Sequence, residues 1–310
     1  MGRTGNNVAS MARRRPGLER NDSMIRSVLL ALDASEASQA ALQLTIRFCR
    51  DHSQREDMSN VAIHLTGVAV VDTPNICGPM AVPLGAVTYK KDRDEVLLAK
   101  ANAEAEVILA KFEADCAAAG VPHTAVRSEG LPYEQIEAVS RTHDLIMIGQ
   151  DTNFHYETHK TISETVRRLL LDNARPVVVM PKSPPEQDVV VITYDGSIPS
   201  SHALHMWTLL KLRRPETQVH VVSVDRDLAI AQKHCEEAAV LLQYHQVQAT
   251  LHPVQLTSKV VTHLSETIAE IAPRTVVMGA YGSGGFREAL FGSSTNRMLE
   301  NSESLLFLYK

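Results

Sequence analysis

Residues 189–195 read VVVITYD, and residues 29–33 read LLALD. Each is an apolar run closed by an aspartate, rich enough in aliphatic side chains for a strand buried on both faces. The residues that follow are also alike. Asp33-Ala34-Ser35 with Ala40-Ala41-Leu42 answers Asp195-Gly196-Ser197 with His202-Ala203-Leu204. A second anchor lies downstream, where DLIMIG (144–149) answers TVVMG (275–279), so that Gly149 answers Gly279. The offset between the two halves is 162 residues at the aspartates and 130 at the glycines, the difference being a longer loop and helix in the first half.

Outward from these anchors the chain alternates strand and helix twice. In the first half, strands are expected at 24–33, 61–71, 123–128, 144–149 and 176–180. Helices are expected at 36–49, 93–119, 133–142 and 164–171, with a long Gly- and Pro-containing loop at 73–86. Ser183-Pro184-Pro185 reads as a stiff, extended linker. In the second half, strands are expected at 189–195, 219–225, 249–256, 275–279 and 304–309, and helices at 229–246 and 259–271. A final helix, opening at about Thr295, would hold Leu299. Such alternation predicts parallel sheets covered by helices. The expected organisation is a disordered basic leader at 1–23, one α/β domain at 24–182, a linker at 183–187 and a second α/β domain at 188–310.

Composition agrees. Hydrophobic residues are 44% of 310, but aromatics only 5%, so the cores must be aliphatic. The leader carries five arginines against Glu19 and Asp22, a net +3, so that in a chain of net −5 the rest carries −8. A body of that sign is a poor non-specific nucleic-acid binder. The leader has no apolar run, so it does not read as a secretory signal. No stretch reaches the roughly 20 apolar residues of a membrane span. Cys49, Cys77, Cys116 and Cys235 form no CxxC pair, and a reducing cytoplasm fits them. His155 and His159, and His202 and His205, lie at helical spacing but lack a third ligand, so no metal site is expected. Trp207 reads as core.

In doubly wound sheets ligands bind at the carboxyl ends of the strands, where strand order reverses. In the second half that place holds Gly279-Ala280-Tyr281-Gly282 and, nine residues on, Gly292-Ser293-Ser294-Thr295. Glycines let backbone approach phosphate oxygens, and a helix N-terminus offers unpaired N–H groups. Ser293 and Ser294 add hydroxyl donors or cap the helix. Asp195, across the crevice, is suited to accept from ribose hydroxyls. Taken alone, the glycines read as a flexible loop; their place after strand four, with Asp195 after strand one of the same unit, makes a polyphosphate site the expectation. No Walker lysine follows them.

The Gly-two-Gly-nine-Gly-Ser spacing after VVMG resembles the nucleotide motif of the universal stress protein family, and Asp195-Gly196-Ser197 resembles that family's first-strand motif. The resemblance runs twice along the chain from Met24 onward, the family's tandem two-domain form. It implies two tandem, open, parallel five-stranded sheets of order 3-2-1-4-5 with helices on both faces, Rossmann-like, whose last strands pair into an intramolecular pseudo-dimer, with a homodimer also open. It implies an adenine nucleotide site (ATP, or AMP or ADP, with or without Mg²⁺) formed by Thr193, Asp195, Ser223, Met278, Gly279, Gly282, Gly292, Ser293 and Ser294. Asp195 would meet the ribose, the backbone of Ser223 the adenine, and Met278 would line the base pocket. The implied role is regulatory, in a stress response, through an unknown protein partner.

The first half departs from the motif. Gly149-Gln150-Asp151-Thr152 lacks the second glycine, and Ile162 stands where Gly292 would be answered. Ser163 survives, but Asp151, Glu157 and Glu164 bring negative charge, so no ATP is expected there. No Ser–His–Asp, Cys–His or paired-carboxylate constellation marks an enzyme. The alternatives are a slow ATPase or adenylate-handling enzyme of the same superfamily, or an interaction scaffold without nucleotide.

Overall fold

The inner strands form because each is a mostly aliphatic run, stable only when covered on both sides, whereas the two edge strands, His123–Glu129 and Ala249–Gln255, mix polar with apolar residues and are only partly covered. A computed structural model describes residues 25–54, 62–79, 87–154, 164–172, 174–280 and 302–310. The first half runs β1 (Ser27–Leu32), α1 (Glu36–Ser53), β2 (His64–Val71), α2 (Thr73–Ile76), α3 (Val87–Ala119), β3 (His123–Glu129), α4 (Pro132–Ser140), β4 (Leu145–Gly149), α5 (Glu164–Asp172) and β5 (Val177–Met180). The second runs β6 (Val189–Thr193), α6 (Ile198–Leu209), β7 (Gln218–Asp225), α7 (Leu228–Tyr244), β8 (Ala249–Gln255), α8 (Val260–Ile271), β9 (Thr275–Gly279) and β10 (Leu305–Tyr309).

The strands make one ten-stranded sheet of order β3-β2-β1-β4-β5-β10-β9-β6-β7-β8. Each half is therefore a 3-2-1-4-5 sheet, and all pairings within a half are parallel. The halves join where β5 and β10 pair antiparallel, with Val178 opposite Phe307. The pairing of last strands is thus as the resemblance implies.

Two layers of helices cover the sheet. One core unites α1, α3, α6 and α7 across both halves, through Leu42, Ile46, Phe112, Leu204, Trp207 and Leu242. The other face is covered by α4 and α5 in the first half and by α8 in the second. Trp207 is 1% exposed, the core residue expected. Cys49, Cys116 and Cys235 are buried, and burial pushes their thiols up to about 12, 12 and 11, which leaves them protonated and inert.

The largest departures from the sequence reading fall at three helices. The expected loop at 73–86 begins with the short helix α2, whose Asn75 N–H is capped by the Asp72 carboxylate at 3.1 Å. The helix α1 continues four residues beyond Cys49, to Ser53. The helix α3 starts at Val87, six residues before Arg93, and its first turns hold the i,i+4 pairs Lys90–Asp94 and Lys91–Glu95. The leader 1–23, the final helix expected at Thr295 and Leu299, and His155, His159, Glu157, Ile162 and Ser163 lie outside the described residues.

Candidate functional site

The sheet order reverses between β1 and β4 in the first half and between β6 and β9 in the second, so each half has one crevice at those carboxyl ends. The same local device opens both. An aspartate follows the first strand, and its Oδ1 accepts the N–H of the serine two residues on, at 3.0 Å for Asp33 and Ser35 and 3.0 Å for Asp195 and Ser197. That serine then caps the next helix. Ser35 Oγ accepts from Ser38 N–H at 3.1 Å, and Ser197 Oγ accepts from Ser200 N–H at 3.3 Å. The Asp-x-Ser motif therefore builds the strand-to-helix turn, and only the second carboxylate oxygen is left to meet anything else.

The glycine ending the fourth strand also serves packing in both halves. A Cβ on Gly149 would stand 2.7 Å from the Ala37 carbonyl carbon, and one on Gly279 would stand 2.4 Å from Ser200 N. Each fourth strand is thereby pressed onto the first turn of the first helix, which brings the ends of strands one and four together.

In the second half, five expected site residues lie at the carboxyl ends of the adjacent strands β9, β6 and β7. Asp195 is half-buried, and among the described residues its bond is the one from Ser197. Thr193 is buried, and its hydroxyl donates to the Val277 carbonyl at 3.3 Å, tying β6 to β9. Ser223 is 0% exposed, and its Oγ has no hydrogen-bond partner among the described residues. Met278 is buried with Val276, Leu306 and Leu308. Gly279 ends β9. The other four, Gly282, Gly292, Ser293 and Ser294, lie outside the described residues.

Sequence reasoning did not single out the surroundings of Asp195. Gly196, at φ 71°, lies against the imidazole of His234, where a Cβ would meet Nε2 at 2.7 Å. The ring of Tyr194 makes an edge contact with the same imidazole. Burial, helped by Glu237 and Asp195, holds the Tyr194 phenol above its ordinary range. The only sequence signal for this corner is the glycine after Asp195.

In the first half the loop after β4 meets the aspartate after β1. Asp33 Oδ2 accepts the N–H groups of Asn153, at 2.6 Å, and Phe154, at 3.2 Å. Both belong to the loop after β4, so the loop crosses the crevice and bonds to the carboxylate opposite. Phe154 is 3% exposed at φ 51° and joins the core of Leu29, Ala31, Val68 and Val70. At the mouth, Lys182 pairs with Glu36 at 3.0 Å and Asp151 at 3.6 Å. No signal in the sequence marks Asn153 and Phe154, because nothing local predicts a phenylalanine at positive φ.

Among the described residues no group of three metal-ligating side chains occurs, and no helix is long and apolar enough to cross a membrane. His202 Nδ1 lies 3.0 Å from the Lys310 carbonyl, and His205 Nδ1 3.0 Å from that of Ser201.

Element order and sheet topology define a pseudo-symmetric, doubly wound α/β protein, an architecture in which ligand sites, where present, lie at strand ends. The particular fold is that of a universal stress protein from Archaeoglobus fulgidus, whose structure matches 92% of this chain and 96% of its own at TM-score 0.65 and 16% identity. Universal stress protein UspA from Lactobacillus plantarum matches 50% of this chain and 97% of its own at TM-score 0.35 and 19% identity. A universal stress protein solved in complex with cAMP matches 51% of this chain and 98% of its own, at TM-score 0.33 and 14% identity. No family model and no curated protein matches the sequence.

Proposed function

We propose that this chain is a tandem protein of the universal stress type that binds one adenine nucleotide, in its second half, and acts as a regulator rather than as an enzyme. The observation that carries the reading is the gathering of Thr193, Asp195, Ser223 and Gly279 at the carboxyl ends of β6, β7 and β9, where the strand order reverses. Asp195 engages one carboxylate oxygen in the turn to Ser197. A half-buried carboxylate at a switch point suits a ribose hydroxyl.

Other features support an adenine nucleotide there. The Ser223 hydroxyl is a buried polar atom without a partner among the described residues, an arrangement that native structures rarely leave unexplained. Its strand end is where an adenine edge would meet backbone. Met278 would supply a polarisable thioether to the base pocket. Gly279, Gly282, Gly292, Ser293 and Ser294 would hold the phosphates through backbone N–H and hydroxyl groups, with or without Mg²⁺. The two units would be residues 24–182 and 188–310, joined by 183–187 behind the basic leader, and the protein would work in the cytoplasm. Nucleotide occupancy would set its affinity for a protein partner during stress.

The test is calorimetric titration of the full chain with ATP and Mg²⁺. One site per chain is expected. Gly282→Val/Gly292→Val should abolish it. Asp195→Ala should weaken it by about 10- to 100-fold, the worth of roughly 1.5–3 kcal/mol for a hydrogen bond to a charged group. A folded wild-type chain that gives neither heat nor thermal shift with ATP would remove the reading.

A further inference from the structure

The closure of the first half is built from more than packing. Asp33 accepts four hydrogen bonds: from the N–H and hydroxyl of Ser35, at 3.0 and 2.6 Å, and from the N–H groups of Asn153 and Phe154, at 2.6 and 3.2 Å. The last two are adjacent donors converging on one oxygen, the pattern that a vicinal diol presents to a carboxylate. An aromatic ring directly follows them, seated among aliphatic side chains of β1 and β2.

Two features speak against an ordinary core loop. Phe154 sits at φ 51°, a region that bulky side chains avoid and that persists only where the surroundings enforce it. Two residues earlier, Thr152 is 0% exposed, and its hydroxyl has no hydrogen-bond partner among the described residues. A segment selected for packing alone would carry neither.

We infer that the first half contains a second ligand crevice, of the nucleoside class, and that residues 152–154 occupy it as an internal ligand. The two backbone N–H groups take the place of ribose hydroxyls, and the Phe154 ring takes the place of a base. The ligand class rests on the reading of the second half, but the closure does not. Charge narrows the class. Glu36 and Asp151 flank the mouth with Lys182 between them, a net negative edge that repels phosphates. The vacated crevice therefore takes a nucleoside in preference to a nucleotide.

The experiment uses the full chain carrying Asp195→Ala, which weakens the second-half site, with and without Phe154→Gly. Glycine removes the ring and is at ease at φ 51°. Calorimetry with adenosine should show one added site per chain in Asp195→Ala/Phe154→Gly, with ATP at least tenfold weaker. Adding Asp33→Ala should remove the gained site. A folded Asp195→Ala/Phe154→Gly chain with no added adenosine binding would overturn the inference, as would ATP binding as tightly as adenosine. Because the score is the difference made by Phe154→Gly, it is independent of whether the wild-type second half binds nucleotide. Should that variant fail to fold, hydrogen exchange in wild type and Asp33→Asn decides. The Asn153 and Phe154 amides should exchange at least tenfold faster in the variant while β1 and β4 are unchanged. Equal exchange at those two amides would overturn the closure itself.

Discussion

Gly149 and Gly279 show how one residue serves two readings. By sequence, Gly279 opens a phosphate-type loop. By structure, it must also be glycine for a reason shared with Gly149, where no such loop follows. Its missing side chain lets the end of β9 rest on the backbone of Pro199 and Ser200, as β4 rests on Ala37 and Ser38. The listener to both demands is the backbone, which cannot retreat as a flexible side chain would. Alanine at either position forces overpacking of the kind that costs about 1–3 kcal/mol. Urea denaturation should show losses of that size for both Gly149→Ala and Gly279→Ala. If the glycines served only ligand contact, Gly149→Ala would leave stability unchanged. The same comparison explains why these two features alone cannot rank the halves. The Asp-x-Ser turn and the strand-end glycine are intact in both, because both are needed to make the turn.

At the scale of elements, the strands were legible because a strand buried on both faces must be a continuous aliphatic run, as in Leu145–Gly149 and Thr275–Gly279. Helix ends were less so, since they depend on caps and pairs that periodicity does not report. The carboxylate of Asp72 starts α2, and pairs such as Lys91–Glu95 accompany the earlier start of α3. Of the candidate site, the place of Asp195 after strand one was legible in the sequence and those of Ser223 and Met278 followed from the resemblance, whereas the Asn153–Phe154 crossing depends on tertiary contacts alone. The packing of β2 against α4 has a consequence for pH. His143, just after α4, is buried between the Val139 carbonyl, 2.9 Å from Nδ1, and the Thr66 hydroxyl on β2, 2.9 Å from Nε2. Burial pulls its pKa below the ordinary 6.5, outweighing the carbonyl. His220 is lowered too, by burial and then by His252. The unfolded chain therefore binds protons near pH 6.5 that the folded chain refuses. Stability is full above that pH and falls as pH drops through the depressed folded values. Melting temperature should decline from pH 7.5 to 5.5, and His143→Asn should flatten part of that slope. A wild-type melting temperature constant across the interval would contradict this.

For the whole molecule, the decisive feature is the seam at β5 and β10. Its ladder spans only three residue pairs, Leu306–Val179, Phe307–Val178 and Leu308–Val177. Yet all six side chains are buried, and Met147, Val178 and Met180 share one core with Val190 and Phe307. The seam is therefore part of the interior. Arg214 of the second half also reaches Asp51 of the first at 3.5 Å, but an exposed pair of that kind adds little. Residues 25–182 alone would present the full edge of β5, an unpaired row of N–H and C=O groups beside newly exposed apolar surface. Because β10 pairs with β5 antiparallel, a second copy of β5 offers the same geometry about a two-fold axis. The fragment is expected to dimerise in sedimentation equilibrium, and adding residues 183–310 should replace that homodimer by a one-to-one complex. A fragment that stays monomeric at tens of micromolar, with native circular dichroism, would mean that the halves are independent bodies and that the ten-stranded sheet is a consequence of tethering alone.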